Sequence, residues 1–241
     1  MFSSVASASV YGIEARIIKC EADCTEGLPM FNMVGYLSSE VKEARDRVRT
    51  AIRNSGLIMG PNHITVNLSP ADLRKQGTAF DLPVAIALLA ASKMIPDEKI
   101  KNTLIAGELG LNGEVKRISG VLPIVLAARQ EGFTTCIVPK DNVMEGSVVR
   151  GIDCIGAESL NDVIGYMCGN NRDSMKPVYA DPESLFFDSN EKTDDFSEVS
   201  GQLLARRAVE IAVSGQHNIL MSGEGVIIGL SLRTSGKREA A

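Results

Sequence analysis

The 241-residue chain contains no tryptophan, and its aromatic content is limited to seven phenylalanines and four tyrosines. Its core must therefore be aliphatic, assembled from Val, Ile, Leu, Ala and Met. The longest apolar run, Leu82 to Ala91, is ten residues, about half of the roughly 20 that a membrane-spanning helix needs. An excess of positive charge is also missing. The net charge of −5 argues against a generally basic nucleic-acid binder, while leaving room for a local basic face. Five cysteines, at positions 20, 24, 136, 154 and 168, show no metal-type pairing and read most simply as reduced thiols in a cytoplasm. The two histidines, His63 and His217, are single and distant, so no set of four converging zinc ligands is predicted. The first residues, Met-Phe-Ser-Ser-Val-Ala-Ser-Ala, lack the basic segment and long apolar stretch of a secretory signal.

What is present is an ordinary globular composition: 44% hydrophobic and 23% charged residues, with 22 glycines and 9 prolines. Disordered, collagenous and fibrous classes are excluded on those values. Charge divides the chain into three zones. Residues 1–169 are nearly balanced, residues 170–195 are polar and acidic with Pro177 and Pro182, and residues 196–241 are slightly basic. This predicts a main domain over 1–169, a linker over 170–195, and a short C-terminal piece too small to bury a core of its own easily.

Within the main domain the hydrophobic period changes repeatedly. Val5–Val10, Glu14–Cys20, Met30–Val34 and Ile64–Leu68 read as strands. Ser38 or Ser39 can cap a helix running to Asn54, with Gly56 beyond its end and Val41, Ala44, Val48, Ala51 and Ile52 as its apolar stripe. Asp81–Ser92 is a strongly apolar helix with Pro83 in its first turn. Thr103–Glu108 and Glu114–Arg117 flank an Asn112-Gly113 turn suited to a hairpin. A helix over Val121–Gln130, strands at Thr134–Val138 and Ile152–Ile155, and a helix over Glu158–Tyr166 complete a mixed α/β pattern.

Two stretches carry a more specific signal. One joins Gly27-Leu28-Pro29 and Phe31-Asn32-Met33-Val34-Gly35 to Val41-Lys42-Glu43-Ala44-Arg45-Asp46-Arg47-Val48. The other runs from Ile64 through Asn67-Leu68-Ser69-Pro70-Ala71-Asp72-Leu73-Arg74-Lys75 to Asp81-Leu82-Pro83. Together with Gly107-Glu108-Leu109 and Gly113-Glu114-Val115, they make the chain resemble the magnesium-chelatase-like AAA+ family, ComM (YifB) branch. The resemblance continues through Asp195-Phe196-Ser197-Glu198-Val199 to about residue 223. It implies a Lon-protease-like, ribosomal-protein-domain-2-like α/β fold over 1–169. The start of a magnesium-chelatase-type AAA+ ATPase domain would follow over 196–241. It further implies a cytoplasmic hexamer that uses ATP and Mg2+ in intact relatives and acts on DNA during recombination. Porphyrin metallation is not implied.

A Lon-type protease uses a serine activated by a lysine of depressed pKa. The resemblance aligns the serine position with Ala79 and the lysine position with Leu122, and neither side chain can do that chemistry. Thr78 stands next to the lost serine, but no base is placed beside it in sequence, so it reads as a hydrogen bonder at a helix start. Asp81 reads as a cap or first-turn carboxylate. No catalytic residue is predicted here, and the domain reads as a non-enzymatic scaffold.

The ATPase half should contain G-x-x-x-x-G-K-[ST], whose backbone N–H groups wrap phosphates while the lysine and hydroxyl reach the outer phosphates and magnesium. Gly223-Glu224-Gly225 opens such a stretch, but Ile228 stands where its second glycine belongs. The later Ser235-Gly236-Lys237-Arg238 lacks both the first glycine and the closing hydroxyl. Gly223, Gly225, Gly236 and Lys237 are therefore read as a degenerate nucleotide loop, through a frameshift, rearrangement or truncation, and no cofactor is predicted for this chain. Two alternatives stand beside this one: a working ATPase whose C-terminus is misreported, and a residual Lon-type hydrolase. Separately, Lys42, Arg45, Arg49 and Arg53 recur at three- and four-residue steps along one helix face. That face suits either DNA phosphates or a solvated surface laced with ion pairs. Glu108 and Glu114 flank the hairpin turn as candidate paired carboxylates or as ordinary strand-edge charge.

Overall fold

The computed structural model describes residues 1–170, 175–181, 201–215, 217–223 and 226–230. They belong to two compact units, Met1–Asp188 and Ser189–Ala241. The first is built on a seven-stranded sheet. Strands β1 (Phe2–Tyr11) and β2 (Glu14–Glu26) pair antiparallel over their full length, from Phe2↔Asp23 to Tyr11↔Glu14. Strand β4 (Asn62–Ser69) continues antiparallel to β2, and β3 (Met30–Val34) lies parallel to β4 at the edge. On the other side of β1 run β5 (Thr103–Ile105), β8 (Thr135–Pro139) and β9 (Asp153–Ala157), all parallel. The order is β3-β4-β2-β1-β5-β8-β9, so the sheet is mostly parallel and β1 is its middle strand.

The residue patterns follow from what covers each face. On β2, Ile18, Cys20, Ala22 and Cys24 are buried, while Lys19, Glu21, Asp23 and Thr25 alternate with them at greater exposure. Such alternation marks a strand with one covered and one wetted face. The covering layer is α1 (Ser39–Asn54) and α2 (Asp81–Ala91), joined by α5 (Leu160–Cys168) at the parallel end. Strand β8 is buried at four successive positions, Cys136–Pro139. There α3 (Val121–Gln130) and α4 (Val143–Ser147) cover the second face. Helix α2 is buried at all eleven positions, which is why its sequence is apolar around its whole circumference.

Several predicted boundaries shift for physical reasons. β1 starts earlier than its apolar pattern because Ser3, Ser7 and Ser9 are buried within it, and small hydroxyl residues mask the hydrophobic signal. Thr103–Glu108 is not one strand. After β5, Ala106 N–H donates to Ile137 O and Gly107 N–H to Ala79 O. The chain bends away, and β6 (Glu108–Leu109) pairs only with β7 (Val115–Lys116). The short α4 has too few residues to show a helical period and escapes prediction. Helix α1 ends in a Schellman motif, with Gly56 N–H to Arg53 O and Leu57 N–H to Ile52 O around Gly56 at φ +83.

In the second unit, α6 (Leu203–Ser214) precedes an antiparallel hairpin of β10 (Ile219–Gly223) and β11 (Val226–Leu230), paired from Ile219↔Leu230 to Gly223↔Val226. No described helix is long and apolar enough to cross a membrane.

The Asn112-Gly113 turn forms as its sequence predicts, with Asn112 Oδ1 accepting from Glu114 N–H at 3.1 Å. Gly113 sits at φ +86, and a Cβ there would lie 2.4 Å from Ser55 Oγ beyond the end of α1. Gly113→Ala therefore combines left-handed strain with a clash and should cost about 1–3 kcal/mol. The check is urea unfolding, with a lower midpoint and an unchanged m-value.

Candidate functional site

The site forms where the β4–α2 loop meets the far end of β1. Lys75 is fixed in this loop by its own backbone: its N–H donates to Tyr36 O and its C=O accepts from Ser38 N–H. Its side chain is 0% exposed, beside Cys20, and its ammonium donates to Pro70 O. Burial pushes Lys75 below the ordinary lysine range, with Asp72 pulling the other way. Burial likewise pushes the Cys20 thiol well up, which makes it an inert core group rather than a nucleophile.

After Lys75 the chain passes through Gln76-Gly77-Thr78-Ala79 into α2. Asp81, in the first turn of α2, is 0% exposed. Its carboxylate does not cap the helix. Arg47 of α1 grips it bidentately, Nε to Oδ2 at 2.7 Å and Nη2 to Oδ1 at 3.0 Å. Leu109 N–H points at the same carboxylate. Burial pushes the Asp81 carboxyl up against the pull of Arg47, and the carboxylate in turn holds the guanidinium above its ordinary value. Arg47 also donates to Glu40 O at 2.9 Å. The first-turn reading of Asp81 was correct in position, but its partner lies 34 residues away and leaves no local pattern. A usable signal for Arg47 existed: it stands three residues after Ala44 and four before Ala51, both on the buried stripe.

This frame opens a cavity of about 450 Å³, lined by Ala8–Val10 of β1, Gln76–Ala79, Glu108, Arg117–Ser119 and Ile124. Thr78 is not without a carboxylate neighbour, as its sequence context suggested. Its hydroxyl donates to Glu108, brought across 30 residues by the bend after β5. Glu108 and Glu114 are not a catalytic pair, because Glu114 lines a different, open cleft with Lys140 and Glu158. Ala79 presents a methyl group to the cavity. Leu122 is half-buried against the α3-side apolar cluster, and its N–H donates to Glu145 Oε1 at 2.9 Å.

The other basic residues of α1, Lys42, Arg45, Arg49 and Arg53, are exposed. Arg45 pairs with its neighbour Asp46 at 3.1 Å. Lys42, Arg49 and Arg53 have no ion pair among the described residues. Arg49 and Arg53 border a cleft of about 490 Å³ with Leu57, Ile58 and Met59. Of the predicted nucleotide-loop residues, Gly223 closes β10, and Gly225, Gly236 and Lys237 lie outside the described residues. Among the described residues no group of His, Cys, Asp and Glu is arranged to hold a metal ion.

The mixed, mostly parallel sheet and the pocket at the start of α2 define a Lon-protease-like α/β domain. The sequence of Lon protease 2 of Bacillus subtilis is 29% identical over 145 residues, 58% of this chain and 25% of that protein. The family "Subunit ChlI of Mg-chelatase" matches residues 20–142, and "Magnesium chelatase, subunit ChlI" matches residues 195–229; the chain belongs to this magnesium-chelatase ChlI family. Competence protein ComM of Haemophilus influenzae is 37% identical over 219 residues, 91% of this chain and 43% of ComM. YifB of Escherichia coli is 38% identical over 222 residues, 92% and 42% of the two chains. The chain thus spans about two-fifths of the length of these curated relatives.

Two measurements probe this frame. Asp81→Asn leaves the half-buried Arg47 guanidinium with only the exposed Glu43 as ion-pair partner among the described residues and should cost about 2–4 kcal/mol, while a paired Arg47→Met/Asp81→Leu variant recovers part of that loss; chemical denaturation of the three proteins decides it. The depressed Lys75 means that the unfolded chain binds more protons than the folded one. Stability contributed through this site therefore rises with pH, up to the ordinary lysine value. Comparing urea midpoints near pH 7 and near pH 9.5 should show that rise in the native protein, and a flatter response in Lys75→Met.

Proposed function

We propose that the chain is the N-terminal module of a ComM-type AAA+ ATPase, a non-proteolytic Lon-like scaffold over 1–169 followed by a linker over 170–195. Residues 196–241 are read as the start of a magnesium-chelatase-type ATPase domain. The relatives that cover about nine-tenths of this chain, ComM among them, support that reading. In an intact protein of this kind, ATP and Mg2+ bound in the second domain would supply the work of moving DNA strands. A hexameric ring in the cytoplasm is the assembly that the family resemblance implies.

In this chain the phosphate-binding loop is read as disrupted. Beyond the missing motif, Gly223 pairs with Val226 across the β10–β11 hairpin, so the connection is two residues long. That strand pairing supports reading this stretch as something other than a loop that wraps phosphates. The exposure of Leu203, Leu204, Ile211 and Val213 on α6 agrees with an element that normally packs inside a larger domain.

The contact with DNA is assigned to α1. The observation that carries it is the exposed row of Lys42, Arg49 and Arg53, none of them in an ion pair among the described residues, although Asp46 lies close enough to feel Arg49. Such a row binds phosphate by charge, without reading sequence. The test is duplex-DNA binding by the full chain across a salt series. The log of the binding constant should fall linearly with log salt, and Arg49→Ala/Arg53→Ala should reduce the steepness by about 2, near 0.9 for each lost phosphate contact. No binding at about 50 mM salt, or an unchanged slope, would refute the assignment to α1. The same preparation should turn over no ATP; a magnesium-dependent rate would refute the disrupted loop.

A further inference from the structure

The outermost strand of the sheet is β3. It pairs with β4 on one side, has no strand on the other among the described residues, and exposes Met30, Asn32 and Val34. Its five residues include no charge, the usual guard of an open edge. Beside it, Met30, Phe31, Met59 and Pro61 line a cleft of about 280 Å³ together with Arg49. Arg49 and Met59 also line the cleft of about 490 Å³ that holds Arg53, Leu57 and Ile58. The two clefts therefore adjoin and form one groove, with an apolar wall, two arginines and a free strand edge at its rim. Ile58, 85% exposed, leaves much of that wall in water.

Duplex DNA would use the arginines and leave the apolar wall wet. An extended acidic segment anchored by large apolar side chains uses both, and the strand edge as well. The chain carries such a segment. Glu183-Ser184-Leu185-Phe186-Phe187-Asp188, outside the described residues, has two carboxylates, no basic residue and the one adjacent pair of phenylalanines in the sequence. Its charge is opposite to that of Arg49 and Arg53, neither of which makes an ion pair among the described residues. The same copy cannot deliver it. Val178 N–H donates to Cys154 O, and the Tyr179 hydroxyl donates to Asp153 Oδ1 at 2.6 Å, so the chain reaches residue 181 beside β9. The groove lies at β4 and β3, and β4 is five strand positions from β9, about 24 Å at ordinary spacing. The six steps from Asp181 to Phe187 span at most about 21 Å.

We propose that the groove between β3 and the end of α1 holds the Glu183–Asp188 segment of a second copy of this chain, so that copies associate head to tail. Arg49 and Arg53 face its carboxylates, and Ile58 and Met59 cover its phenylalanines. The inference goes beyond the DNA reading and does not rest on it, although the two share Arg49 and Arg53. The experiment adds a fluorescein-labelled peptide of residues 181–188 to the full chain and follows anisotropy, while sedimentation velocity follows self-association of the chain. Saturable peptide binding is expected, weakened about tenfold by Ile58→Ser/Met59→Ser and by Arg49→Ala/Arg53→Ala. Phe186→Ser/Phe187→Ser should abolish binding when made in the peptide, and self-association when made in the chain. Circular dichroism establishes that each variant is folded; if Ile58→Ser/Met59→Ser is not, the exposed arginines and the peptide variant carry the test. The proposal is overturned if the native chain shows no saturable peptide binding, or if the serine-substituted peptide binds equally well. It is also overturned if the folded groove variants bind the native peptide unchanged, or if the full chain self-associates to the same extent without its two phenylalanines. Ile58→Ser/Met59→Ser should leave the salt dependence of DNA binding as it is in the native chain. Peptide binding without DNA binding sinks only the DNA reading, and DNA binding without peptide binding sinks only this one.

Discussion

The buried ion pair between Arg47 and Asp81 is the constraint around which the domain is arranged. Helix α2 is apolar along its length except at its first residue, and that one charge cannot be taken out of water alone. The guanidinium that answers it comes from α1, and the Leu109 N–H that shares it comes from β6. Three elements separate in sequence are thereby set at fixed positions around one carboxylate. The loop carrying Thr78 and Ala79 leads directly into that carboxylate, and Glu108 precedes Leu109. The geometry of the cavity is therefore a consequence of the pair, although neither partner lines it.

What could be read from sequence follows the range of the interactions involved. The apolar stripe of α1 and its glycine-terminated end are local, periodic features, and both are where the pattern puts them. The apolar character of α2 and the Asn112-Gly113 turn are equally local. The strand ends of β1 were obscured because buried serines carry no hydrophobic signal. The Arg47–Asp81 and Thr78–Glu108 contacts span 34 and 30 residues, and one sequence holds nothing that ties such partners together. A charged residue next to an apolar stripe is the nearest thing to a clue, and Arg47 looked like its solvated neighbours. The bend after β5 was hard to place: Thr103–Ile105 is strand-like, and it is the competing partners of Ala106 and Gly107 that turn the chain away before Glu108.

The surface chemistry is divided in a way that bulk composition conceals. A chain of net charge −5 nonetheless carries on α1 a row of exposed cations, Lys42, Arg49 and Arg53, that form no ion pair among the described residues. A separate open cleft gathers Glu114, Asp141, Glu158 and Asp162 around Lys140. Local potential and total charge are independent quantities, and partners respond to the first. The pocket beside α2 belongs to neither region, and its mixed donors and acceptors suit a ligand of no net charge.

The position of β1 in the middle of the sheet has a consequence for how the chain is made. The strand joins an antiparallel block formed with β2 and β4, all within residues 1–69, to a parallel block whose nearest member begins at Thr103. As the polypeptide leaves the ribosome, the antiparallel block can close on itself while the opposite edge of β1 waits for more than thirty further residues. The fold is thus assembled outward from its N-terminus, and the first strand synthesised gains its second neighbour only after β2 and β4 already have both of theirs.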